Sequence, residues 1–69
     1  MEPEIHEKSK DFVQSLDRGL AIMTVFNERN PRLTLSEVAE LTGFTRATAR
    51  RFLLTLESLK YVGSSGRYF

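Results

Sequence analysis

The sequence predicts a mainly α fold in which three helices are followed by a short β element. Apolar residues recur at helical spacing over most of the chain, and residues that favour helix starts precede three of these runs. From residue 61 onward the pattern becomes strand-like. The length of 69 residues allows one domain, and a hydrophobic content of 41% argues against disorder. We expect residues 1–11 to form a polar, flexible tail and residues 12–69 to form the domain.

The first helix is expected over residues 16–27. Ser15 is a suitable N-cap, and Asp17 follows in the first turn, where the helix dipole favours negative charge. Gly19 lowers helix stability by about 1 kcal/mol relative to alanine, which suggests that another backbone approaches closely there. The apolar pair at 12–13 is expected to pack on the domain or on a second subunit. The predicted inward stripe consists of Leu16, Leu20, Met23 and Phe26.

The second helix is expected to follow Thr34 and to end at Thr42 and Gly43. Thr34 and Glu37 form the T-x-x-E pattern of a capping box, in which each side chain meets the other residue's backbone N–H. Gly43 suits the left-handed position that follows a helix. The predicted inner face consists of Leu35, Val38, Ala39 and Leu41.

The third helix is expected over residues 46–59, with Thr45 as its N-cap. Phe44 precedes the cap and can pack against the first turn of the helix. The inward stripe of this helix is long and regular, and it consists of Ala49, Phe52, Leu53, Leu56 and Leu59.

Two capped helices that flank a short glycine-containing turn at 43–45 are typical of a helix-turn-helix. In that motif the second helix lies in the major groove of DNA and the first crosses the backbone. Ala39 is small enough to let the two helices approach closely. After them, the strand-like pairs at 61–62 and 68–69 flank Ser64, Ser65 and Gly66, which predicts a β-hairpin, and Leu33 with Thr34 could add a third strand. The expected fold is a winged helix-turn-helix with a two- or three-stranded β wing.

Charge is distributed unevenly along the chain. Residues 1–40 hold five Lys/Arg and eight Asp/Glu, a net charge of −3, whereas residues 41–69 hold five Lys/Arg and one Asp/Glu, a net charge of +4. No acid occurs between Thr42 and Leu56. A purely structural helix usually mixes both signs on its solvated face, so this segment favours contact with a polyanion.

The candidate DNA contacts lie on the third helix, near helix starts and in the wing. Arginine can bind guanine or clamp a phosphate, while hydroxyls near helix starts meet phosphates. Arg46 and Arg50, one turn apart, are predicted to read bases, and Arg51, rotated toward the groove wall, is predicted to anchor the backbone. The full predicted set is Thr34, Ser36, Thr45, Arg46, Ala47, Thr48, Arg50, Arg51, Ser65 and Arg67.

Other function classes find little support in the sequence. There is no cysteine, and the one histidine, His6, lies in the predicted tail, so no catalytic or metal-binding constellation is expected. The chain is predicted not to be an enzyme and to need no cofactor. The absence of export signals and of long apolar runs predicts a cytoplasmic protein without a membrane partner. The alternative to DNA binding is a winged-helix protein-interaction module that binds no nucleic acid, although such modules tend to carry apolar or acidic residues where this chain has arginines.

The sequence resembles the N-terminal domain of IclR-family transcription regulators. The resemblance lies in S-L-D-R-G-L at 15–20, L-T-L-S-E-V-A at 33–39, T-G-F-T-R-A-T-A-R-R-F-L at 42–53, and the pair at 61–62. Within the family it is most similar to the regulators of aromatic-acid catabolism in the protocatechuate and β-ketoadipate pathways. The resemblance implies an operator in double-stranded DNA, a homodimeric full-length protein, and a small-molecule effector bound by a C-terminal domain that this chain does not contain.

Two residues raise separate expectations. The family usually has glycine at the position of Lys60, so we expect Lys60 to adopt a slightly strained left-handed conformation, or the third helix to run on. Arg18 matches an arginine that the family tends to carry, and it could reach a phosphate or pair with an internal acid such as Glu57. The pairing is the favoured reading.

Overall fold

The computed structural model describes residues 10–69, and the predicted tail therefore lies almost entirely outside the described part of the chain. Within that part, three helices follow one another in the order predicted from the sequence: α1 spans Gln14–Val25, α2 spans Leu35–Thr42 and α3 spans Arg46–Ser58. All three helices contact one another. None of these helices has the length and hydropathy that a membrane crossing requires.

Helix α1 begins and ends about two residues earlier than predicted. Its N-cap is Val13, which has an extended backbone and gives no side-chain cap, so the prediction of Ser15 as N-cap is wrong. Asp17 does lie in the first turn, as predicted. The early end has a local cause, because the Asn27 side-chain oxygen accepts the backbone N–H groups of Arg29 at 2.8 Å and Asn30 at 3.0 Å. This turn gives the backbone an alternative to further helix.

The caps of α2 and α3 confirm the sequence predictions. The Thr34 hydroxyl accepts the Glu37 N–H at 3.2 Å, and the Glu37 carboxylate accepts the Thr34 N–H at 2.8 Å, which completes the capping box. Gly43 ends α2 with a φ of 79°, a left-handed conformation that favours glycine. The Thr45 hydroxyl caps α3 by accepting the Thr48 N–H at 3.1 Å. These caps fix both ends of the turn that sets the angle between the helices.

The core is small and draws on all three helices. Its central side chains are Ile22, Val38 and Leu53, each 0% exposed, and the half-buried Phe44 packs against the core cluster, which includes Ala49 in the first turn of α3. Within residues 10–69 the buried residues are Ile22, Leu33, Val38, Ala39, Ala49 and Leu53.

The predicted inner faces need four corrections. Leu16 and Leu20 of α1 are 60% and 55% exposed, because the helix turns Ile22 toward the core instead. Leu41 and Leu59 are 54% and 59% exposed, since one lies at the end of α2 and the other beyond the last turn of α3. Three short helices enclose one narrow core, which leaves apolar side chains at their outer edges uncovered.

Gly19 does not mark a close approach of two backbones. A Cβ placed on this residue would meet the Cδ1 atom of Phe52 at 3.8 Å, an ordinary van der Waals distance to a side chain. The expectation of a backbone contact is therefore wrong.

Helix α3 ends in a Schellman motif whose left-handed residue is Lys60. The Tyr61 N–H bonds to the Leu56 carbonyl at 2.9 Å, and the Lys60 N–H bonds to the Glu57 carbonyl at 2.9 Å, the two hydrogen bonds that define the motif. Lys60 has a φ of 72° and is the only described residue other than glycine with a positive φ. Of the two expectations for Lys60, the strained left-handed conformation is the one observed.

The C-terminal segment pairs with the chain before α2 instead of forming a full hairpin. Ser65 and Tyr68 exchange two backbone hydrogen bonds across a turn at Gly66 and Arg67. A positive φ at Gly66 alone is the pattern of a type II′ turn. The predicted strand at 61–62 does not form, because the Tyr61 N–H is already used to end α3.

The predicted contact of Leu33 and Thr34 with the end of the chain is present, as an isolated bridge rather than a strand. Leu33 and Phe69 exchange backbone hydrogen bonds of 3.2 and 2.8 Å, and Thr34 bridges Tyr68. Within residues 10–69 the β structure is limited to this bridge and the one across the turn.

Candidate nucleic-acid interface

The solvent-exposed surface of α3 carries three arginines. Ala49 and Leu53 turn toward the core and are 0% exposed, so the opposite side of the helix faces solvent. Arg51 is exposed on that side, Arg50 is exposed on the flank of the helix, and Arg46 is exposed at the first turn of α3, beside the start of α2. Ala47 is also exposed, and Thr48 is half-buried, with its backbone N–H donating to the Thr45 hydroxyl.

The side chains of the α3 arginines have no charged partner in the described part of the chain. Within residues 10–69, the side chains of Arg46, Arg50 and Arg51 make no hydrogen bond or ion pair. The first turn of α3 contains no acid. A guanidinium offers five N–H donors in a planar fork, which matches the edge of guanine or two oxygens of a phosphate. This face can therefore bind DNA without first breaking an internal ion pair.

A polar cleft beside this face brings together four of the predicted site residues. Thr34 and Ser36 at the start of α2, Arg46 at the start of α3, and Arg67 in the C-terminal turn line a cleft of about 360 Å³, together with Leu35. The residues come from three separate segments. Their convergence depends on the pairing between the end of the chain and the segment before α2.

The capping hydroxyl groups of Thr34 and Thr45 can each still donate a hydrogen bond. Thr34 and Thr45 each accept a backbone N–H through the hydroxyl oxygen. The O–H of each residue remains available to donate to a phosphate oxygen. Ser36 and Ser65 are exposed, and Ser65 lies beside the type II′ turn.

Tyr68 and Arg32 lie in this region, although no direct sequence signal pointed to either. The Arg67 guanidinium lies 5.6 Å from the centroid of the Tyr68 ring, and the Arg32 guanidinium lies 5.2 Å from it. Both distances suit a cation–π interaction. The possible third strand at Leu33 was the one indication, because pairing of Leu33 with the end of the chain places its neighbour Arg32 beside Tyr68.

Arg18 and Glu57 do not form the favoured pair. The Glu57 carboxylate accepts a hydrogen bond from the Ser64 hydroxyl, which ties the C-terminal segment to α3. Arg18 is exposed and has no side-chain partner within residues 10–69. The pairing prediction is wrong because Ser64, a residue nearby in the chain, takes the carboxylate.

A separate apolar groove lies between α1 and the C-terminal half of α3. It measures about 640 Å³, and its exposed apolar walls include Leu16, Leu20, Leu59 and Tyr61, the last 68% exposed. Gly19 forms part of its floor. The groove and the arginine face lie toward opposite ends of α3.

Two capped helices joined by a glycine turn, with a third helix completing the core and arginines exposed on the second capped helix, define a helix-turn-helix domain of the DNA-binding type. Residues 15–66 match the family model described as the IclR helix-turn-helix domain. The chain belongs to the IclR family.

Its relatives are transcription regulators. The chain is 48% identical over 62 residues to the Pca operon regulatory protein of Acinetobacter baylyi, covering 90% of this chain and 22% of that protein. It is 44% identical over 59 residues to the Pca regulon regulatory protein of Pseudomonas putida, covering 86% of this chain and 20% of that one. The p-hydroxybenzoate hydroxylase transcriptional activator of Acinetobacter baylyi is 39% identical over 62 residues, covering 90% of this chain and 23% of that protein.

A solved structure agrees with these relationships. A crystal structure of a protein from Rhodococcus sp. RHA1, assigned as a transcriptional regulator, superposes with a TM-score of 0.80 at 60% identity. The match covers 84% of this chain and 23% of that one. The chain thus spans about a fifth to a quarter of the length of its relatives, and the comparisons agree with the sequence resemblance at the level of the family.

Proposed function

We propose that this domain binds an operator in duplex DNA, with α3 in the major groove and the segment after α3 acting as a wing on the backbone or in the minor groove. The observation that carries the proposal is the solvent-exposed surface of α3, where Arg46, Arg50 and Arg51 are exposed and make no hydrogen bond or ion pair within residues 10–69, while the buried residues of the same helix form the core. The II′ turn at Gly66 and Arg67 projects a cation beside that face, as a wing would. The remaining predicted contacts extend this surface toward the starts of α2 and α3.

The proposed regulator controls genes of aromatic-acid breakdown. The support is the similarity to two Pca regulatory proteins and to an activator of p-hydroxybenzoate hydroxylase. Since this chain covers about a fifth of each, we place recognition of a small-molecule effector in a C-terminal domain outside this chain. Such a regulator would act in the cytoplasm and would itself catalyse no reaction.

A second copy of the chain is the proposed partner in the apolar groove. Leu16 and Leu20 form an exposed ridge on α1 that is also one wall of the groove between α1 and the end of α3. A two-fold arrangement would place the ridge of each copy in the groove of the other, so that one surface serves both sides of the interface. Two linked domains would then read two half-sites of one operator.

The test of DNA binding is a selection for bound duplexes followed by titrations at several salt concentrations. The basic segment from residue 41 has a net charge of +4. Neutralising about four phosphates per subunit predicts a log–log salt slope near −3 to −4, and twice that for a dimer. We also expect the selected duplex to bind more tightly than a scrambled one.

Two results would contradict this proposal in different ways. Binding with no salt dependence would remove the role of the arginines. No binding to any duplex by a folded domain would leave the protein-interaction module as the surviving function.

A further inference from the structure

The polar cleft beside α3 has the composition of an anion site. Arg46 and Arg67 reach it from two different segments, and Ser36 and Thr34 add hydroxyl groups. Its volume of about 360 Å³ is sufficient for a phosphate group and its waters. It lies beside the proposed DNA-binding face and is separate from the apolar groove.

Arg67 is held in place at the cleft by an aromatic ring. Its guanidinium lies 5.6 Å from the Tyr68 ring centroid, and the same ring is 5.2 Å from the guanidinium of Arg32. Tyr68 is itself fixed by backbone hydrogen bonds to Ser65 and by its bridge to Thr34. Two cations therefore flank one ring next to the cleft residue Arg67 in the chain, and neither is neutralised by an ion pair within residues 10–69.

Glu37 is an acid next to the cleft residue Ser36 in the chain. The Glu37 carboxylate accepts the Thr34 N–H at 2.8 Å in the capping box, so it lies close to the start of α2. Its negative charge offsets part of the positive charge of Arg46 and Arg67. The balance remains positive, and the acid supplies a way to tune the site without disturbing either arginine.

We infer that this cleft binds one backbone phosphate of the DNA, with Arg46 and Arg67 donating to the phosphate oxygens and Tyr68 positioning Arg67. The inference rests on the proposed function and adds a division of labour to it. Phosphate contacts set the register of a protein on the duplex but carry no sequence information. Arg46 then anchors the backbone, contrary to the base-reading function that its spacing from Arg50 suggested, and Arg50 is left as the base-reading arginine.

The first experiment measures three cleft variants and one control variant on the selected duplex and on a scrambled one. Arg46→Gln and Arg67→Gln should each weaken binding to both duplexes by about the same factor, near tenfold, and lower the salt slope by about one. The double variant should lose less than the product of the two factors, because both side chains hold the same phosphate. Arg50→Gln, the matched control on the same helix, should instead reduce the ratio between the selected and scrambled duplexes.

The second experiment tests how the negative charge of Glu37 affects DNA affinity. Glu37→Gln keeps an acceptor for the Thr34 N–H, as a capping box permits, but removes the charge. We expect it to raise affinity for both duplexes about twofold to threefold. Glu40→Gln removes the same charge from an exposed position further along α2 and should have a smaller effect. Thermal melts of all variants verify that the fold is kept.

The outcomes separate the inference from the proposed function. If the unmodified domain binds no duplex, both are overturned. If it binds in a salt-dependent way but Arg46→Gln and Arg67→Gln leave affinity unchanged, DNA binding stands and the phosphate cleft is overturned. If Arg46→Gln selectively removes preference for the selected duplex, Arg46 reads bases and the assignment to the cleft is wrong.

Discussion

The two ends of α3 present opposite chemistries to solvent. The N-terminal half exposes Arg46, Arg50 and Arg51, whereas the C-terminal end exposes Leu59, followed by Tyr61. The first surface attracts a polyanion, and a complex with an apolar partner would be stabilised by burial of the second surface. One short helix thus connects the proposed DNA contact to the proposed contact between subunits, so the spacing between two DNA half-sites would depend on the rigidity of α3.

The largest expected effect is a loss of stability, because unfolding of the domain would remove both surfaces of α3 together. Leu53 is 0% exposed in the middle of α3, and replacing it with alanine should lower the free energy of unfolding by about 2–5 kcal/mol. Small domains have a total stability of about 5–15 kcal/mol, so this change is severe. Denaturant unfolding measures it. Leu54→Ala is the control. Leu54 follows Leu53 in the chain but is 40% exposed, so its replacement should lower the free energy of unfolding much less. Equal losses in the two variants would show that Leu53 does not lie in the core.

The next effect separates the arginines at the DNA end of α3. Arg50→Ala should cost about 1–3 kcal/mol of binding free energy on the selected duplex and relax preference at one or two base pairs. Arg51→Ala should weaken binding to all duplexes alike and lower the salt slope by about one per subunit. Anisotropy titrations on selected and scrambled duplexes provide both quantities. The reverse pattern would mean that α3 is rotated about its axis relative to the groove floor.

The third effect concerns the apolar end. Leu20→Glu places a charge on a side chain that is 55% exposed, so the fold should survive while association of two copies is lost. Sedimentation equilibrium over a range of concentrations should show a dimer for the unmodified chain and a monomer for the variant. Glu substituted for Leu41, 54% exposed on α2 and outside the groove, is the control and should leave the mass unchanged. A monomer at every concentration before any substitution would contradict the proposed partner.

What the sequence could predict follows from how local each signal is. The capping box of Thr34 and Glu37 and the left-handed Gly43 depend on residues within four positions, and they were predicted correctly. The rotation of α1 could not be predicted, because Leu16, Leu20 and Ile22 make both of its faces apolar and only the position of the other helices decides which face is buried.

In the candidate site, too, features set by local sequence were predicted, and features set by long-range pairing were predicted only in part. The exposure of Arg50 and Arg51 followed from the helical period of the buried Ala49 and Leu53, and that of Arg46 from its place in the first turn of α3. The cleft followed only in part: Leu33 and Thr34 were expected to add a strand beside the C-terminal segment, but the register that pairs Leu33 with Phe69 was not predicted, because backbone hydrogen bonds between residues distant in the sequence carry no side-chain pattern. The cation–π contacts of Tyr68 follow from that pairing and were missed with it.

The smallest expected effect lies at the junction between α3 and the C-terminal segment. Lys60 has a φ of 72°, a conformation that costs a residue with a Cβ about 1–2 kcal/mol and costs glycine little. Lys60→Gly removes this conformational cost from the folded state, but glycine also gives the unfolded chain more freedom. The net result should be a rise in the free energy of unfolding of up to about 1 kcal/mol. Lys60→Ala is the control for the lost charge, since it keeps the Cβ and should not stabilise. Denaturant unfolding of the two variants decides the point: equal stability of the two would mean that the Schellman motif at the end of α3 stores no strain, and that its lysine does not weaken the connection between the DNA-binding helix and the turn at Arg67.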